Sequence, residues 1–179
     1  MTLIAGWVSG YYVSRMRDIG DILDLSRLRL AKRRTQSTTW LSVTEAHAVE
    51  AELAGKYRRA ARLRKRCFAE ALEHGRPEAV ATQYYKLGLA LRATGRNAAA
   101  LDALSNAVEI GQANSVDALV ADAQLAIAGV MLMAKEIDRA RSAALTADTL
   151  YRKLSPGSEG PTPAARLLNT LTTIERGQK

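Results

Sequence analysis

Apolar residues follow one another every three to four positions through most of this chain, the spacing of helices that each bury one side. Turn residues divide the pattern. Ser42 with Glu45 reads as a capping box, which opens a helix near Val43. That helix runs over about 43–54, and Gly55 supplies the left-handed turn after it. Its partner covers about 57–73. His74-Gly75-Arg76-Pro77 is a stop followed by a start. The next helix covers about 77–94 and halts at Gly95, and Asn97 caps a partner over about 98–112. Ser115 is the expected cap of a helix reaching about position 134, and a further helix spans about 136–153. The stretch 155–161 is a Ser/Pro/Gly linker expected to be mobile, and Thr162-Pro163 opens a last helix to about position 176. Ahead of all this, residues 3–34 read as one or two helices, with a polar, loop-like run over 32–39.

A longer interval overlies the helical one. Ala60, Ala100 and Ala140 fall at one constant interval, and Gly55/Gly95, Ala107/Ala147 and Leu91/Met131/Leu171 keep the same phase. A period of roughly 40 residues marks stacked supersecondary units, each exposing an apolar face that only a neighbour covers. The expected fold is all-α, an α-solenoid of antiparallel helix pairs. Its divisions are an N-terminal helical segment over 1–40, pairs at 41–76, 77–114 and 115–154, a linker at 155–162, and a capping helix at 163–177. The last helix, with Leu167, Leu171 and Ile174 on one stripe, covers the end of the stack.

The middle unit carries a family resemblance. Tyr84-x2-Leu87-Gly88-x2-Leu91, then Gly95, then Ala100-x3-Leu104-x2-Ala107 resembles the small-and-large pattern of tetratricopeptide repeats. The third unit keeps Ile127, Ala128, Met131, Ala140 and Ala147 but has Lys135 where glycine is usual. The first keeps Ala48, Gly55 and Ala60 yet puts His47 and Arg64 at positions normally apolar. The units are longer than the family's usual repeat, and the closing proline is missing. The resemblance implies a right-handed superhelix whose first helix of each pair lines a concave groove. Carried onto this sequence, the groove residues are Glu45, Val49 and Glu52, then Thr82, Tyr85, Leu89 and Arg92, then Asp122, Leu125, Gly129 and Leu132. The Lys and Asn pattern that holds a peptide's terminal carboxylate is missing there. The apolar centre suits an amphipathic helix of another chain, or this chain's own N-terminal helix, and the expected site is Val49, Tyr85, Leu89, Arg92, Leu125 and Leu132.

Charge adds a second candidate. The net charge is +8, and residues 1–76 hold 15 Lys/Arg against 8 Asp/Glu. Within that half, Arg58, Arg59, Arg62, Lys65 and Arg66 share one arc of a helix, with Tyr57, Ala60, Cys67, Phe68 and Ala71 opposite. Such an outer face suits solvent, or an acidic protein, nucleic acid or anionic lipid. No aromatics are interleaved with these cations, which disfavours single-strand binding. Arg64 points toward the apolar side and needs an acid partner or a path to water.

Composition excludes more than it assigns. A lone cysteine, Cys67, rules out an intrachain disulfide framework, and a reducing cytoplasm is the expected location. Cys67 reads as a buried small hydrophobe. His47 and His74 lie on separate helices without ligand spacing, and His47 is expected to pack within its unit. No phosphate-cradling glycine loop or nucleophile elbow occurs, and Asp117 and Asp122 read as ordinary helix surface. The chain is therefore expected to be non-catalytic, with no cofactor and no metal. Positions 1–14 carry no charged side chain, but no basic segment precedes Leu3, and glycines and serines dilute the run. A helix buried by Trp7, Tyr11 and Tyr12, or an interface for self-association, is the expectation, and a membrane is disfavoured as partner.

Overall fold

A computed structural model describes residues 38–74, 77–157 and 160–177. The expectations for Trp7, Tyr11, Tyr12 and the rest of the N-terminal segment fall outside these residues. Every element among the described residues is a helix: α1 (Thr38–Leu53), α2 (Tyr57–His74), α3 (Pro77–Ala93), α4 (Asn97–Ala113), α5 (Asp117–Met133), α6 (Ile137–Leu154) and α7 (Pro163–Gly177). They fall into two compact units that meet in sequence between Arg76 and Pro77. The first holds the pair α1 and α2. In the second, α3 packs on α4, α4 on α5, α5 on α6 and α6 on α7, while α3 also touches α5. This second unit is a solenoid-like stack in which each helix is covered by its neighbours in sequence.

The long sequence interval resolves into two equal halves. Helices begin at Tyr57, Pro77, Asn97, Asp117 and Ile137, at equal steps along the chain. The connections inside the pairs and between α4 and α5 repeat as well. Gly55, Gly95, Ser115 and Lys135 all take positive φ, between 56° and 75°. In each turn that residue's N–H bonds the carbonyl three positions back, and the next N–H bonds the carbonyl five back. These are the paired bonds of a Schellman motif, which satisfy helix-end carbonyls otherwise left without donors. One helix and its connection make one step, so the alternation of helix types doubles the visible period.

Three expected caps are corrected by this geometry. Ser115 does not cap α5, because it is the left-handed residue that ends α4. Asn97 does not cap α4 either. The residue before the helix is Arg96, no side chain caps there, and the buried Asn97 Oδ1 has no hydrogen-bond partner. Ser42 is also displaced as a cap, because α1 already runs from Thr38. At α4 and α5 repeated turn geometry, rather than side-chain capping, sets the helix start. The turn also yields a prediction. A left-handed backbone costs a side-chain-bearing residue roughly 1–2 kcal/mol that glycine does not incur. Lys135 is exposed at φ 63°. Lys135→Gly is therefore expected to stabilise the protein by about 1 kcal/mol, raising the melting temperature by roughly 2–4 °C. Calorimetry checks it, and an unchanged or lower midpoint would contradict it.

The recurring positions form the core. Ala60, Ala100 and Ala140 are wholly buried, and the half-period positions Val80 and Val120 are nearly so. Short side chains let α4 and α6 approach their neighbours closely, and larger ones fill the gaps. Leu104 is fully buried and packs with Ala126 and Val130. A Cβ placed on Gly88 would come within 2.8 Å of Leu104 side-chain carbons, so glycine is required there by proximity.

The end of the stack is covered as the pattern implies. Leu167 and Leu168 of α7 pack over Ala128, Ala143 and Ala144, and Leu171 is fully buried beside Met131 and Ala140. The far end of the expected linker is held in place. The Thr162 hydroxyl accepts a hydrogen bond from the Ala165 N–H at the start of α7 and donates one to Asp148 on α6. The bond from Thr162, joined by one from Arg152, holds the Asp148 carboxyl below the usual range. Arg141 and Glu175 pair between the same two helices at 2.5 Å.

Candidate functional site

In the second unit, half-buried residues of α3 and α5 form two stripes. On α3 these include Thr82, Tyr85, Leu89 and Arg92, and on α5 they include Asp122, Leu125, Gly129 and Leu132. Spacings of three and four residues put each set on one side of its helix. The stripes lie beside each other in a fixed register. Tyr85 and Leu89 pack against the cluster of Leu104, Ala126 and Val130. Nη1 of Arg92 sits 3.1 Å from where a Cβ on residue 129 would lie, so Gly129 makes the seat for the guanidinium. The face is thus one continuous surface drawn from two helices.

Its chemistry is mixed. Leu89, Leu125 and Leu132 supply apolar area. At one end, Asp122 accepts a hydrogen bond of 2.5 Å from the hydroxyl of Tyr151 on α6. Burial, then this carboxylate, pushes the Tyr151 phenol far above its ordinary value. Burial also raises Tyr85, the Asp122 charge adds to the rise, and the Arg92 cation opposes it. Both phenols therefore stay protonated at neutral pH, when a phenolic O–H can donate a hydrogen bond. Asp117 and Asp122 are not idle surface: Asp117 pairs with Lys153 at 2.6 Å, and Asp122 anchors Tyr151. Tyr151 carries no local signal of this role, because its hydroxyl meets Asp122 across 29 positions of chain.

The first-unit residues behave differently. Val49 is 43% exposed on α1. Glu45 and Glu52, half-buried on the same helix, are both turned to a buried cation. The guanidinium of Arg64, 3% exposed, donates from Nε to Glu52 Oε1 at 2.8 Å and from Nη2 to Oε2 at 2.9 Å. Its Nη1 lies 3.7 Å from Glu45. Burial, the largest influence, would lower the Arg64 pKa, but the bonds and charge of Glu52, helped by Cys67 and Glu45, outweigh it together and raise it. So the Arg64 cation is paired internally with two acids of α1. His47, expected to pack inside, is exposed, and so is Tyr57. Cys67 is fully buried.

Arg58, Arg59, Arg62 and Arg66 are exposed on α2, and Lys65 is half-buried beside them. Among the described residues no carboxylate lies within ion-pairing range of those four arginines. Among the same residues, no three His, Cys, Asp or Glu side chains are grouped to hold a metal ion, and no helix is long and apolar enough to cross a membrane. No protein-family model matches the chain, and a comparison with curated proteins finds no match.

Proposed function

We propose that this protein is a non-catalytic adaptor of the tetratricopeptide type, which holds a protein partner on the α3/α5 face. The observation that carries this reading is the pairing of two half-buried stripes of the stack into one surface. That surface presents Leu89, Leu125 and Leu132 together with polar ends. Such part-exposed apolar side chains, set side by side on two helices, leave area that a partner could cover. Full burial of an exposed leucine is worth roughly 1.5–3 kcal/mol, and a half-buried one has only the remaining fraction of that to gain from a partner. The single buried cysteine supports a cytoplasmic setting.

The test needs a substitution that spoils the surface and spares the fold. Tyr85→Ala is unsuitable, because the Tyr85 ring also packs on the core around Leu104. Leu125→Lys is better, since Leu125 lies on the half-buried stripe of α5 and lysine keeps helix propensity. Affinity capture from native cells with the Leu125→Lys protein is expected to lose the partner, with the melting temperature near wild type. Retained capture would remove this face from consideration.

A second reading rests on the four exposed arginines of α2, which have no acid partner among the described residues. A polyanion, nucleic acid or an acidic protein, would then bind the exposed face of that helix. In the same capture experiment Arg58→Glu with Arg62→Glu would abolish binding and Leu125→Lys would not. Binding would also fall steeply with salt if the partner were nucleic acid.

A further inference from the structure

We infer that the α3/α5 face reads charge as well as apolar surface: its occupant is an amphipathic helix with an acidic side chain opposite Arg92 and a basic one two helical turns away, opposite Asp122. The inference rests on the interaction reading above and specifies the partner's chemistry.

Arg92 carries the first half. It is half-buried, seated on Gly129, and among the described residues no carboxylate is within ion-pairing range. Two other covered arginines are treated differently: Arg64 has Glu52 and Glu45, and Arg141 has Glu175. A cation partly withdrawn from water without a counter-charge carries a desolvation cost that an incoming carboxylate offsets. Asp122 carries the second half. Its Oδ1 accepts from Tyr151, a neutral donor, and no cation among the described residues pairs with it, since Lys153 is engaged by Asp117. The face therefore has an anionic end and a cationic end.

The distance between the ends sets the spacing. Arg92 sits at the level of Gly129, and Asp122 precedes Gly129 on α5 by two helical turns, or about 10 Å. Two turns of a bound helix cover the same length. Leu89 and Leu125 lie between the charges, where the ligand's apolar residues at one-turn spacing would meet them. An extended segment would span the gap in about three residues. Its side chains, pointing alternately to opposite faces, would match the leucines poorly.

The probes are fluorescein-labelled helices of alanine, leucine and glutamine, roughly 18 residues long, enough to populate helix in water. They differ only at two positions spaced i and i+7: Glu and Lys, Glu and Glu, Lys and Lys, or Gln and Gln. Anisotropy titrations of the full chain are expected to rank the Glu/Lys peptide first, by about fivefold over either like-charged peptide. With Arg92→Glu the Lys/Lys peptide is expected to become the tightest. Asp122→Asn keeps an acceptor for Tyr151 while removing the charge, and is expected to erase the advantage of Glu/Lys over Glu/Glu. Circular dichroism and melting verify that both variants fold. Equal binding of all four peptides would overturn the charge inference and leave the apolar face standing. Binding by none would remove both. A preference for Glu that survives Arg92→Glu would place acid recognition elsewhere. Tighter binding of proline-interrupted, extended peptides carrying the same two charges on one side would rule out a helical occupant.

Discussion

Glu52→Ala is expected to destabilise the first unit by about 3 kcal/mol, an unusual cost for a half-buried glutamate on a helix surface. The reason is what it leaves behind. Glu52 binds the Arg64 guanidinium through two parallel hydrogen bonds of 2.8 and 2.9 Å, and Arg64 is buried. Without Glu52 the cation keeps only Glu45, at 3.7 Å, as an acid partner among the described residues. Removing one partner of a buried pair strands the other charge, which costs roughly 3–5 kcal/mol; the surviving acid places this case at the lower end. The converse change is milder. In Arg64→Met the two carboxylates, 29% and 30% exposed, can be hydrated, and an apolar chain fills much of the vacated volume. Urea unfolding checks both. If Glu52→Ala costs under about 1 kcal/mol, the pair is energetically a surface one despite its geometry. If Arg64→Met costs more than Glu52→Ala, stranding the cation is not the dominant effect.

The second large effect lies in the stack itself. Leu104→Ala is expected to cost about 3 kcal/mol, because Leu104 is wholly buried against Ala126 and Val130, with Tyr85, Leu89 and Leu101 around it. Gly88→Ala is expected to cost about 1–2 kcal/mol through overpacking. The new methyl would press within 2.8 Å of the Leu104 side chain and within 3.3 Å of the Ala100 carbonyl oxygen, outweighing alanine's better helix propensity. The double variant is where the two effects meet. With Leu104 shortened, the methyl of residue 88 enters the space it leaves, so the pair should lose clearly less than the sum of the single changes. Chemical unfolding of all four proteins gives the coupling. Additive losses would show that Gly88 and Leu104 do not share one packed volume.

These cases indicate where local spacing is sufficient evidence. Ala60, Ala100 and Ala140 announced packed helix pairs, and all three are wholly buried, because a close helix crossing admits only short side chains and the requirement leaves a periodic mark. Pro163 and the stripe of Leu167 and Leu171 announced the covering helix in the same way. The caps were misread for an equally physical reason. Serine and asparagine can cap a helix, but Ser115 occupies the left-handed position of a turn and Asn97 already lies inside α4. The Schellman turns had set both helix starts. The half-buried stripes of α3 and α5 were legible from spacing and from the repeat resemblance. Their electrostatics were not. The Tyr151 hydroxyl on Asp122 joins α6 to α5, and the seat of Arg92 on Gly129 joins α3 to α5.

Helix content, the apolar side of most helices and the repetition of units all follow from neighbour spacing and side-chain size, so the bare chain is enough to establish them. Which charges are cancelled is a matter for the folded molecule. The chain marks Arg64 as a cation in need of an acid and Arg92 as a groove residue, but names no acid for either. One lies against two acids of α1, and the other rests on a glycine of α5 with no acid in reach among the described residues. Charge pairing depends on distances of a few ångströms between residues far apart in sequence, and folding alone sets those distances.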